Sequence, residues 1–314
     1  MGQIIATLFP LRLRLWFGKL IYRPLGPSVY RVSPHRIIKG PCDPPEIEAM
    51  RYVASNTTIP LPKLHHVHTE KDGRIFIEMD FIPGETLDSA WSSLSTAQRE
   101  VLFADLQRYL TCLRQLPPPA QDLVSSALQN PAFDCRVGDR FFGPVDHAGF
   151  HSLVRGHCAM DDVAQFLGGD VVSTHTSSYK THFTHADLAP RNIIVRDGRI
   201  AAIIDWAFAG WYPEYWEFTK AQYTRFRGQE WAHFLSFALP GYEKELRAEQ
   251  ALWETLPEQG SQYTVYQDGV PIEHRGSSPS AAWVKARNID EVDDMWSVTL
   301  SRQGYDKLDE LEKQ

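Results

Sequence analysis

The stretch FTHADLAPRNIIVRDGRIAAIIDW, from Phe183 to Trp206, constrains the fold of this chain more than any other. NIIV and IAAIID are β-branched or apolar runs, and RDGR lies between them. Asp197-Gly198 suits a type I′ turn, because both central positions of that turn need positive φ. Folded antiparallel, the two runs bring Asn192 and Asp205 to one open end, within a residue or two of facing pairs. Asp187 lies in the loop just before, where Pro190 excludes a regular strand.

Two oxygen-bearing side chains at the base of a hairpin suit a hard cation. Mg²⁺ takes oxygen ligands, keeps several waters, and binds one or two carboxylates together with substrate phosphates. Asp205 is the expected main ligand and Asn192 the second. Asp187, close but off the metal, is placed to accept a proton from an attacking hydroxyl. That is the division of labour phosphoryl transfer needs. His185 reads as structural, bonding backbone to hold the loop. Asp and Asn favour loop ends in any protein, so each residue alone says little. The joint pattern H-x-D-L-x-x-x-N, then a hairpin, then a strand-terminal Asp, is what points to phosphotransfer.

The chain has 314 residues, 43% of them hydrophobic, enough for one large domain or two lobes. A formal net charge of -7 argues against a nucleic-acid partner and is compatible with a cationic small molecule. Four cysteines, Cys42, Cys112, Cys135 and Cys158, form no C-x-x-C pair. Free thiols in a reducing, cytoplasmic setting are expected.

Three regions are expected. In residues 1–82, SVYRVSPHRIIKG gives two short strands joined at Ser33-Pro34-His35, PPEIEAMRYVASNT a helix, and the run to Phe81 a strand pair around Asp72-Gly73. Residues 83–256 read as mainly helical. Ser95 and Gln98 form a capping box ahead of an apolar stripe from Leu102 to Leu116, and Pro117 to Pro119 end that helix. A further helix is expected across residues 149–169, and helices from Pro213 to Leu256 break at Pro240-Gly241. Residues 257–314 form a polar tail. Together this is an α+β chain.

The first thirty residues are apolar and basic, with no Asp or Glu before Asp43. Arg12, Arg14 and Lys19 interrupt the run and exclude a spanning helix. A weak membrane-surface contact and a presequence are two readings; packing on the rest of the protein is the preferred one. Gly2 invites myristoylation, but Ala6 stands where that motif wants Ser or Thr.

FTHADLAPRNIIV and IIDWAFAGWYPEYWEF resemble the catalytic and metal segments of the aminoglycoside phosphotransferase-like family, with closest likeness to its fungal members. PHRIIKG, EIEAMRYVASNTTIPLPK, IEMDFIPGETLDSAW and FFGPVDHAGFHSLV agree, so the resemblance runs from about Val32 to Leu246. It implies a two-lobed protein-kinase-like fold with a small antiparallel-sheet N-lobe and a larger helical C-lobe. It also implies ATP and Mg²⁺ as cofactors and a small-molecule hydroxyl as acceptor. By the same resemblance Lys39 binds the ATP phosphates and Glu48 pairs with it, Glu46 being the neighbouring candidate. Met79, Asp80 and Phe81 form the hinge meeting adenine, Asp187 is the base, and Asn192 and Asp205 hold Mg²⁺.

Two departures stand out. No G-x-G-x-x-G precedes Lys39, so the phosphate-covering loop is short or missing. Ala189 stands where protein kinases carry a lysine, leaving Arg191 as a candidate substitute in the catalytic loop. The first departure keeps a rival reading open, a kinase-like binding or regulatory module. His65, His66 and His68 read as strand-face residues, and His175 and His182 as loop residues. The aromatic residues of WYPEYWEF are expected beneath the hairpin as core, with Glu214 and Glu217 as salt-bridge partners or weak grips for a cationic substrate.

Overall fold

The computed structural model describes residues 10–23, 25–26, 28–137, 141–223 and 229–255, and the backbone of 262–267 and 270–275. It opens with helix α1 (Leu11–Ile21), which lies on a small sheet. Gly18 permits the approach: a Cβ there would stand 2.5 Å from the Arg31 carbonyl oxygen. Arg14 Nη1 and Nη2 donate to the two carboxylate oxygens of Glu78 at 2.8 and 2.7 Å, a fork-to-fork pair that fixes the helix on the sheet.

Strands β1 (Val29–Ser33) and β2 (Arg36–Cys42) turn at Ser33-Pro34-His35, as the sequence predicts. Helix α2 (Pro44–Asn56) carries Pro44 and Pro45 in its first turn, where missing N–H groups cost nothing. Strands β3 (Leu64–Thr69) and β4 (Ile75–Asp80) follow, and Gly73 takes φ 83° at the turn between them. The sheet is antiparallel with order β1-β2-β4-β3. Ile75, Ile77 and Met79 join Ile47, Met50 and Val53 of α2 in the core. Glu78 points to the opposite face, the one α1 covers. Among the described residues this sheet has four strands, and α1 precedes β1.

The larger part starts with β5 (Glu85–Thr86), α3 (Leu87–Ala90) and α4 (Thr96–Arg114). The expected capping box is present: Ser95 Oγ accepts from the Gln98 N–H at 3.3 Å, and Gln98 Oε1 accepts from the Ser95 N–H at 2.9 Å. Short strands β6 (Ser125–Ser126), β7 (Ala132–Phe133) and β8 (Phe141–Phe142) come next. The single helix expected over residues 149–169 is replaced by α5 (His147–Val154) and α6 (Met160–Phe166), with α7 (Gly169–Thr176) following. Gly156, His157 and Gly168 break it at φ 59°, 58° and 91°. His175 is therefore helical and buried, stacked on His151 at 4.6 Å, and not a loop residue.

Then follow β9 (Thr181–Thr184), which contains His182, and the hairpin β10 (Ile193–Arg196) and β11 (Arg199–Ile203). Strand β12 (Gly210–Pro213) and helices α8 (Trp216–Tyr223), α9 (Gln229–Ala238) and α10 (Glu243–Thr255) complete this part. Asp197 and Gly198 both take positive φ, 53° and 73°, as a type I′ turn requires. Trp206, Trp211, Tyr212, Tyr215 and Trp216 are fully buried, so the aromatic run is core. Of the tail, a backbone hairpin, β13 (Gln262–Gln267) and β14 (Val270–Arg275), is described; the rest lies outside the described residues.

Candidate active site

The loop from His185 to Asn192 is held by backbone contacts before any ligand arrives. Ala186 takes φ 59°, a left-handed conformation that costs an L-residue roughly 1–2 kcal/mol. The buried carboxylate of Glu217 offsets this by accepting the N–H groups of His185 and Ala186 at 2.7 and 3.2 Å. Burial raises the Glu217 carboxyl to about 7, with those two N–H groups pulling the other way. Glu217 rides on α8, which Asp134 pins twice: Trp216 Nε1 donates to it at 3.0 Å and Lys220 Nζ at 2.8 Å. Glu217 is thus a loop anchor and not a grip for a substrate. Glu214 likewise turns to protein, accepting from the Lys180 N–H at 2.9 Å and the Tyr242 hydroxyl at 3.1 Å.

His185 bridges the loop to the hairpin. Its Nε2 meets the Ile204 carbonyl at 3.1 Å, and its Nδ1 accepts from the Asp187 N–H at 3.2 Å. That pair of partners fixes the neutral ring with the proton on Nε2. Burial lowers its pKa, which keeps it neutral. This geometry is the structural role the sequence assigns to it.

Asp187 is the meeting point of the loop. Arg191 Nη2 donates to its Oδ1 and Oδ2 at 2.6 and 2.8 Å. Asn192 Nδ2 donates to the Asp187 carbonyl and to Oδ2, both at 2.8 Å. With its nitrogen committed there, the Asn192 side chain has Oδ1 to offer a ligand. The hairpin register places Ile193 opposite Ile203, and the Ile204 N–H donates to the Asn192 carbonyl at 2.9 Å. Asp205, next along, takes φ 65° and leaves the strand direction. Asn192 and Asp205 therefore share the open end of the hairpin, as the sequence predicts.

Lys39 reaches this point from the small sheet. Its Nζ donates to Asp205 Oδ1 and Glu46 Oε1, each at 2.6 Å. Burial works against the Lys39 charge, but the two carboxylates hold it above the usual lysine range. Burial likewise opposes ionisation of Asp205, and Lys39 overcomes it, so Asp205 titrates below the usual carboxylate range. Glu46 is fully enclosed and also faces Asp205, so it rises to about 6 in spite of Lys39.

The partner of Lys39 is thus Glu46, and the assignment to Glu48 is corrected. Glu48 points to the large lobe and accepts from Ser126 Oγ at 2.5 Å, Asn130 Nδ2 at 2.9 Å and the Leu128 N–H at 3.2 Å. At the expected hinge, two backbone N–H groups are already engaged. The Asp80 N–H donates to the Lys63 carbonyl at 3.1 Å and the Phe81 N–H to the His35 carbonyl at 3.0 Å. The Asp80 side chain pairs with Arg36 and with His65. Met79 is a buried core residue. A purine at this edge has neither of those two N–H groups to use and must meet carbonyls or Ile82 beyond.

The donor set fits a Mg²⁺ ion bound together with phosphates. Asp205 keeps Oδ2 beside the atom given to Lys39, and Asn192 keeps Oδ1; both are hard oxygens. Among the described residues no cluster of three or more His, Cys, Asp or Glu could hold a metal. Two of the histidines of β3 pair with acids, His65 with Asp80 and His68 with Glu78.

Comparison with known proteins bears on the fold and the family. Two solved structures align with TM-scores of 0.52. One is a GDP and kanamycin complex of APH(2")-IIIa, 12% identical over 76% of this chain and 86% of that one. The other is aminoglycoside phosphotransferase APH(4)-Ia, 15% identical over 73% and 81%. An ADP-bound APH(2'')-Ib aligns at 0.51, with 15% identity over 77% and 86%. The fold is that of the aminoglycoside phosphotransferases, a kinase-like α+β fold. No curated protein sequence matches the chain. Residues 42–254 match the family described as "Phosphotransferase enzyme family", a span that holds Glu46, Asp187, Asn192 and Asp205 and starts just after Lys39. The chain belongs to the phosphotransferase enzyme family.

Proposed function

We propose that this protein transfers the γ-phosphoryl group of ATP to a hydroxyl of a small molecule, with Mg²⁺. The observation that carries the reading is the convergence of Asp187, Asn192, Asp205 and Lys39 from two lobes on one point. Asn192 Oδ1 and Asp205 Oδ2 would hold the ion, which supplies charge neutralisation at the phosphates when bound. Lys39 would turn from Asp205 to phosphate oxygens. Asp187 accepts the acceptor's hydroxyl proton. The hydroxyl oxygen bonds to the γ-phosphorus, the bond to the β–γ bridging oxygen breaks, and ADP leaves. Arg191, beside Asp187, offers positive charge where Ala189 offers none. The related aminoglycoside enzymes are seen with GDP, ADP or ATP, which supports a nucleotide in this cleft. The net charge of -7 is compatible with a cationic acceptor.

The four-stranded sheet favours a second reading, a binding module with weak or absent chemistry, because the phosphates lack a glycine-rich cover. One titration separates the two. A ligand that binds only the folded state raises apparent stability by mass action. The melting point of the wild type should rise with ATP and Mg²⁺, and Asp205→Ala should lose the metal-dependent part. No rise at millimolar ATP, under conditions where a control kinase responds, would remove the enzyme reading.

A further inference from the structure

Helix α1 presents two faces. The inward face is Leu11, Arg14, Leu15 and Gly18, set against the sheet. The outward face is Leu13, Trp16, Phe17, Leu20 and Ile21, spaced i, i+3, i+4, i+7 and i+8. These five and Leu25 are 39–69% exposed. They make up six of the nine large apolar side chains exposed among the described residues. Single exposed apolar residues need no explanation, but a contiguous stripe on one helix does.

The charged residues of α1 and of the chain on either side of it are all basic. Arg12, Arg14, Lys19, Arg23, Arg31, Arg36 and Lys39 precede Asp43, with no acidic residue among them, so the negative charge of the chain lies wholly beyond residue 42. Arg14 is spent on Glu78. Arg12, Lys19 and Arg23 are exposed and flank the stripe, Arg12 in a solvent-facing pair with Glu70 at 3.1 Å.

We infer that the outward face of α1 docks on an anionic phospholipid surface. An indole and a phenyl ring beside leucines and isoleucine, rimmed by cations, suit the headgroup–acyl boundary. Each cation near such a surface adds attraction that salt screens. No described helix is long and apolar enough to cross a membrane, so the contact is peripheral. A second copy of this chain fits less well. A two-fold contact sets the same patch against itself, bringing Arg12, Lys19 and Arg23 of each copy together. Because α1 covers the sheet face opposite α2, docking would leave the cleft between the lobes open.

The test is flotation of the full chain with vesicles of phosphatidylcholine and phosphatidylserine, and of phosphatidylcholine alone. The wild type should float with the anionic vesicles and not with the neutral ones, and high salt should weaken it. Trp16→Glu with Phe17→Glu should lower the bound fraction about tenfold or more, with unchanged melting point, since both side chains are exposed. Absence of flotation with the anionic vesicles overturns the inference, as does equal flotation with neutral ones or an unchanged double variant. Light scattering closes the remaining route: a dimer that the double variant splits makes the second copy the occupant and overturns the lipid assignment.

Discussion

Arg191 Nη2 lies within hydrogen-bond distance of both oxygens of Asp187, 2.6 Å from one and 2.8 Å from the other. One cation thus sits on the carboxylate that would take the acceptor's proton. Arg191→Ala should lower basal ATP turnover by roughly 10–100-fold, chiefly in kcat, because the charge lost is the one beside the proposed base. Arg191→Lys should recover part, keeping charge without the planar reach. An unchanged kcat for Arg191→Ala, measured as ADP release, would make the arginine merely a surface residue.

Glu46 and Glu48 should part company on mutation. Glu46→Gln removes one of the two carboxylates that hold Lys39, and nucleotide affinity measured by calorimetry should fall roughly tenfold, about 1.4 kcal/mol. Glu48→Gln leaves one oxygen for the three donors and sets an amide N–H₂ against those of the other, and denaturant melts should show a loss of about 1–3 kcal/mol. A stronger nucleotide defect in Glu48→Gln than in Glu46→Gln would contradict the ion pair described.

The dock between α1 and the sheet should be acid-sensitive. Burial pushes the Glu78 carboxyl up, but His68 and Arg14 overcome it and hold it at about 2. A depressed folded-state value gives stability that is full above the ordinary carboxylate range and lost as pH falls from near 4.5 towards 2. At about 1.4 kcal/mol per unit, the linkage is roughly 3 kcal/mol. Denaturation of Glu78→Gln against wild type should show this gap at pH 7 and its disappearance near pH 2. A gap independent of pH would mean that the pair contributes through packing alone.

Gly18→Ala should loosen the same dock. The new methyl meets the Arg31 carbonyl at 2.5 Å, and the neighbour is backbone, which cannot swing aside. Overpacking of this kind costs about 1–3 kcal/mol. Hydrogen exchange in β1 should quicken; unchanged exchange there would place the helix elsewhere in solution.

What could be read from the chain was local. The Asp197-Gly198 turn, the Ser95–Gln98 cap and the shared end of Asn192 and Asp205 follow from φ preferences and strand periodicity over a few residues. What could not be read depended on distance in sequence. Glu46 and Glu48 lie about 200° apart around a helix, so they face different partners, and no pattern in EIEAM says which face meets the sheet. Glu217 reads as a salt-bridge partner or a weak substrate grip because its actual partners are backbone N–H groups some thirty residues upstream. The partners of the expected hinge are out of reach for the same reason, since its Asp80 and Phe81 N–H groups bond to Lys63 and His35 from outside the segment. Helix α1 was read as packed against the protein, and its inner face is; the outer face was visible only once Gly18 and Arg14 showed which side was used.

The two glutamates of α2 make that helix a mechanical linkage. Glu48 rivets it to the loop at Ser126–Asn130, and Glu46 latches it to the sheet through Lys39. A cleft that swings open by carrying the helix with the sheet must shear the three bonds on Glu48. One that opens by sliding the sheet off the helix must unlatch Lys39. The latch is one bond, but the core of Ile47, Met50 and Val53 against Ile75, Ile77 and Met79 backs it, so sheet and helix hold together and the joint that gives is the set of three bonds on Glu48.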